Sequence, residues 1–209
     1  IVVQDETDTV ISDNIIKNVW DVGVEWVGTL NRVSILRNQI SNALYGGIGG
    51  WYWAGLMNST ISFNTVDTAP ALFQIFRIFG LRPANWDGQG AFADQGIYFT
   101  NNRFESNVLQ NPTYYGTSGA YVSTNIPVMT NMGYAVGNPG SLPGSMDPRA
   151  DQYFLTNNVF INNNFSSVTK PPNFGYNVSP PQGFVIDGGG NRCNTAYPAG
   201  APWYPLVCH

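Results

Sequence analysis

Hydrophobic and polar positions alternate along this chain in short runs, and each run breaks at an asparagine. Val33-Ser34-Ile35-Leu36-Arg37-Asn38-Gln39-Ile40-Ser41-Asn42 sets the pattern; residues 97–106 and 153–162 repeat it, and the same frame fits 11–18 and 59–68. Aligned on Asn14, Asn38, Asn64, Asn102 and Asn158, the five segments keep three columns. Ile11, Ile35, Ile61, Phe99 and Leu155 stand three residues before the asparagine, and Ile16, Ile40, Val66, Phe104 and Phe160 two after it. Four after it come Asn18, Asn42, Thr68, Ser106 and Asn162. The period-two alternation predicts a short strand on either side. The aligned asparagine is expected at the bend, because Asn tolerates the left-handed backbone region and bonds its own backbone.

Successive copies lie 24, 26, 38 and 56 residues apart. The first two intervals suit one coil of a solenoid, and the longer two a coil plus an inserted loop. Further strand-like runs at 22–27, 47–53 and 71–77 predict a third strand per coil. No capped run of period 3.6 predicts a helix. The expected fold is all-β: a single-domain parallel β-helix of about five to seven coils, stacked about 4.8 Å apart, with apolar ladders inside. The coils and their inserts, at 80–96 and 108–150, occupy residues 1–165, with an irregular strand expected at 120–123. Residues 166–209, rich in Pro, Gly and Asn with one strand at 184–187, read as a C-terminal cap.

Over about residues 9–165 the repeat resembles that of the right-handed parallel β-helix, or pectate-lyase-like, superfamily. The resemblance implies a right-handed solenoid and, for many of its members, action on extracellular polysaccharides; others are adhesins, phage spikes or surface-layer proteins. Fold alone does not choose among these.

Composition narrows the field. Charged residues make up 11% of the 209, lysine occurs only at 17 and 170, and the net charge is −4. No basic stripe exists for nucleic acid, and no apolar run reaches the length of a membrane span. The repeat is in register by Ile11 with no cap before it, which suggests a processed mature chain or the C-terminal part of a longer one. Cys193 and Cys208 bracket a loop that a disulfide would stabilise by about 3 kcal/mol, in keeping with an oxidising, extracellular setting. The only histidine, His209, is terminal, so no structural metal site is expected. Sequons at Asn58, Asn164 and Asn177 are no more numerous than chance provides.

Without an internal histidine, no Ser-His-Asp or Cys-His arrangement forms. The aligned register sends the first and third residues after each asparagine outward, which would set Asp67, Arg103 and Glu105 side by side on neighbouring coils. Two carboxylates so placed would divide acid and base roles or share a hard cation such as Ca²⁺, with no other cofactor implied. Arg103 would hold a carboxylate or neutralise an enolate-like intermediate. The bland alternative is a surface ion network, as for Asp13 with Arg37. Glu25, Trp26, Trp51, Trp53 and the loop residue Trp86 are candidates for stacking on and bonding sugar rings, with core packing the competing role of the strand tryptophans. Two readings stay open: an extracellular carbohydrate-active or carbohydrate-binding protein with a polysaccharide or glycan partner, or a non-catalytic structural, adhesin or filament module that assembles along the solenoid.

Overall fold

A computed structural model describes residues 1–69, 72–76, 98–111, 113, 128–130, 154–167 and 185–193. Among these every regular element is a strand and every pairing is parallel. The first rung consists of β2 (Val10–Ser12), β3 (Ile15–Val19) and β4 (Val22–Asn31), with β1 (Val2–Gln4) ahead of it and paired to β4. The second holds β5 (Ser34–Leu36), β6 (Gln39–Ala43) and β7 (Gly46–Met57), and the third β8 (Thr60–Ser62), β9 (Thr65–Asp67) and β10 (Phe73–Phe76). After β11 (Tyr98–Thr100) comes the fourth rung: β12 (Arg103–Glu105), β13 (Val108–Gln110) and β14 (Val128–Thr130). After β15 (Phe154–Thr156), a fifth rung has β16 (Asn158–Ile161) and β17 (Asn164–Phe165), and a sixth β18 (Val185–Asp187) and β19 (Arg192–Cys193).

These strands stack as three sheets. The first runs β1-β4-β7-β10-β14, with β11 and β15 continuing from the far half of β7; the second runs β2-β5-β8-β12-β16-β18 and the third β3-β6-β9-β13-β17-β19. Thus the chain is a parallel β-solenoid, as its alternation predicts. Two refinements concern its ends and inserts. Residues 185–193 extend the second and third sheets, so part of the tail read as a cap belongs to the solenoid. The long insert contributes β14 against β10, whereas the strand expected at 120–123 lies outside the described residues.

Alternation decides the interior. Ile11, Ile35, Ile61, Phe104 and Phe160 form one buried column and Ile40, Val66, Leu109 and Phe165 another. The core changes from aliphatic to aromatic along the axis: Phe104 stacks on Phe160 with centroids 4.3 Å apart and meets Phe73 edge-on at 4.8 Å. Where the third sheet turns into the first, a side chain at Gly47 would overlap Val66 and sit 3.0 Å from the Leu72 carbonyl. The corner therefore needs glycine.

Left-handed residues recur every five positions: Asp8, Asp13 and Asn18, then Arg32, Arg37 and Asn42, then Asn58, Phe63 and Thr68, then Asn101, Ser106 and Asn111. The bend residue is the one before the aligned asparagine, which corrects the expected placement. The asparagine itself turns inward. Asn14, Asn38, Asn64, Asn107, Asn163 and Asn191 form a continuous ladder: each backbone N–H and one amide N–H donate to the next Oδ1, at 2.9–3.1 Å. From Asn38 onward the other amide N–H donates to a strand carbonyl of the rung before, such as Ile35 for Asn64 at 2.9 Å. Every buried amide thereby finds partners, as a low-dielectric interior requires.

The ladder also corrects the register of rungs four and five. Phe104, not Phe99, lies over Ile61, and Phe99 lies over Leu56. Asn102 accepts from the backbone N–H of Ser59, while Asn107 is the true partner of Asn64. The aligned frame is off by one five-residue step because bends of one kind recur at that spacing.

Candidate functional site

The correction of register separates the expected site. Arg103 and Glu105 stand on β12, in the second sheet, between Thr60 and Val159 and between Ser62 and Ile161. Asp67 stands on β9, in the third sheet, between Ser41 and Gln110. The structure thus does not bring Asp67 beside Arg103 and Glu105, and no cation site shared by the two carboxylates forms. Arg103 Nε donates to Glu105 Oε2 at 2.7 Å, and this bond holds the Glu105 carboxyl below its ordinary range. Such a carboxylate stays ionised and paired, the opposite of a general acid. Asp67 Oδ1 accepts from Asn111 Nδ2 at 2.8 Å and from Thr68 Oγ1 at 3.1 Å. Two further pairs, Asp8 with Arg32 and Asp13 with Arg37, join the bends of the first two rungs at 2.7 Å.

The aromatic candidates divide. Trp26 is fully buried, donates Nε1–H to the Gly55 carbonyl at 3.1 Å and packs 5.9 Å from Phe73, so it is a core residue and not a sugar platform. Glu25, half-buried beside it, faces out next to Gly49, and burial followed by the charge of Asp21 raises its carboxyl above the ordinary range. Trp51 and Trp53 belong to β7, but their side chains, like Trp86 and Asn177, lie outside the described residues. Cys193 ends β19; Cys208 lies outside the described residues too. Asn58 is exposed and donates to Asn31 Oδ1 at 3.0 Å while accepting from Asn101, and Asn164 accepts from Ser166 Oγ at 2.6 Å.

One concavity of the described surface lies on the outer face of the third sheet. Ile15 and Lys17, Gln39 and Ser41, Thr65 and Asp67, and Gln110 project from four successive rungs and line a groove of about 320 Å³. These are outward positions of the alternation, so the groove is built from equivalent sites repeated at the strand spacing, about 4.8 Å. Its lining is amide, hydroxyl and one carboxylate, with the exposed apolar Ile15 and the exposed Lys17, which makes no ion pair among the described residues. Beside the first two rungs lies a second hollow of about 290 Å³, lined by Asn18, Val19, Trp20, Asn42 and Leu44. Trp20 is 82% exposed. Sequence reasoning missed it because it falls in the turn between β3 and β4, where the alternation lapses; its polar neighbours Asn18 and Asp21 were the available signal.

Among the described residues no three His, Cys, Asp or Glu side chains gather as metal ligands, and no helix is long and apolar enough to cross a membrane. No protein-family model matches the chain, and neither does any curated protein or solved structure.

Proposed function

We propose that this chain is an extracellular carbohydrate-binding β-solenoid that holds an extended glycan along the outer face of its third sheet. The observation that carries the reading is the groove spanning four rungs, whose Gln39, Ser41, Thr65 and Gln110 offer neutral donors and acceptors at a regular step. That step, about 4.8 Å, is close to the length of one pyranose unit, so one rung serves one sugar. Low charge suits a ligand bonded through hydroxyls, and a Cys193–Cys208 bridge would suit the same compartment. Binding without turnover is the reading taken, since Glu105 is paired and Asp67 stands on another sheet, so these two do not face one substrate as acid and base.

The test is calorimetric titration of the protein with xylohexaose, cellohexaose, mannohexaose and hexagalacturonate, beside a Gln39→Ala/Thr65→Ala variant. Binding by the wild type that weakens about tenfold or more in the variant, a loss of about 1.4 kcal/mol, supports the reading. No binding to any of the four, or equal binding by the variant, overturns it. A structural module is the second reading, favoured by the exposed apolar Val2 and Val10 on the flanks of the first rung, at 68% and 64%. Concentration-dependent light scattering that Val10→Ser abolishes would favour it.

A further inference from the structure

We infer that the hollow at Trp20 is a ring-stacking subsite of the third-sheet groove, taking the flat C–H face of one pyranose against the indole. The inference rests on the glycan reading above but concerns residues outside the groove. An indole that is 82% exposed at the wall of a hollow gives up favourable burial unless something covers it. The neighbouring residues suit a sugar more than an apolar partner. Asn18 and Asn42, one rung apart at the bend, line the same hollow as the indole, and Asn42 Nδ2 donates to Asn18 Oδ1 at 2.7 Å. That bond uses one of the two N–H groups of Asn42 and one lone pair of the Asn18 oxygen. The second N–H of Asn42 and both of Asn18 remain to meet hydroxyls. A flat apolar face edged by neutral donors and acceptors matches a pyranose, whose axial C–H groups are apolar and whose rim is hydroxyl.

The hollow adjoins the groove along the chain. Lys17 and Asn18 are consecutive, as are Ser41 and Asn42, and the first of each pair lines the groove while the second lines the hollow. A chain bonded along the groove therefore passes within one residue of Asn18 and Asn42, the amides that line the hollow with Trp20. Trp20 would fix which stretch of the chain occupies those rungs, a specificity that the regular, sliding groove lacks.

Trp20→Ala and Trp20→Phe, with Asn18→Ala, are titrated with the same four hexasaccharides, and perturbation of the Trp20 indole resonance is followed by NMR, assigned by its absence in Trp20→Phe. Thermal melts check folding, which so exposed a side chain should not affect. Saturable perturbation of the indole signal, about tenfold weaker binding in Trp20→Ala and partial rescue in Trp20→Phe are expected. Wild-type binding that Trp20→Ala leaves intact overturns the subsite while the groove stands. No binding by the wild type overturns both. Loss of self-association instead of sugar binding in Trp20→Ala overturns the subsite in favour of a contact between copies.

Discussion

Asn64 is where the buried ladder makes its sharpest demand. Its side chain is fully buried; Oδ1 accepts from the Asn38 backbone N–H at 2.9 Å and from Asn38 Nδ2 at 3.0 Å, and its own amide donates to Asn107 Oδ1 and the Ile35 carbonyl. Asn64→Ala deletes this acceptor and leaves two buried N–H donors of Asn38 without a partner. An orphaned buried donor costs about 1–3 kcal/mol, so the loss should be roughly 2–6 kcal/mol, the low end applying if water enters the space. Asn101→Gly removes a similar amide bond, to Asn58 Oδ1 at 3.2 Å, but at the surface, where water replaces it, and glycine accepts the left-handed φ of 56° without strain; the loss should stay within about 0.5 kcal/mol. Urea unfolding measures both, and amide exchange at Asn38 tests the local cause. Asn64→Asp adds a pH axis. It keeps an acceptor but places a carboxyl where burial favours the neutral form. With its folded value above its unfolded one, the variant should be least impaired below the carboxylate range and lose stability as pH rises through it. A loss under about 1 kcal/mol for Asn64→Ala, or one equal to that of Asn101→Gly, refutes the claim that the ladder stabilises by satisfying buried groups.

Other substitutions test the same structure. Phe104→Ala should cost about 3–5 kcal/mol by chemical denaturation, because it empties the stack with Phe160 and Phe73. Gly47→Ala should cost about 1–3 kcal/mol through overlap with Val66 and the Leu72 carbonyl, whereas Ala at Gly28, whose φ is +77°, meets only the exposed Asp5 carboxylate, which can swing aside, and should cost the backbone strain of about 1–2 kcal/mol. Phe63, exposed and left-handed at φ 59°, should gain about 1 kcal/mol in thermal or urea unfolding when replaced by Asn. Asp13 is held below its ordinary pKa first by its bond to Arg37, so its contribution is present above the unfolded carboxylate pKa and lost as pH falls through the folded value; urea midpoints of wild type and Asp13→Asn should converge in acid.

The alternation around Ile11, Ile35 and Ile61 determined by itself that the chain makes short parallel strands with these residues inside, because a side-chain period of two leaves one choice once a face must be buried. It also determined the pairing of Asp13 with Arg37, since compact coils of 24 residues admit a single register. Beyond the insertions the pattern was silent. Bends recur every five residues, so Asn102 fits the column of Asn64 as well as Asn107 does, and a loop of unspecified length allows either. Only strand pairing chooses, setting Phe104 over Ile61 and leaving Phe99 to Leu56. That choice moves Glu105 and Asp67 to different sheets and dissolves the site read from the sequence. Exposure was likewise a tertiary outcome: Trp26 and Trp20 sit six residues apart in one chain, and only the path of the turn after Val19 buries the first and leaves the second in water.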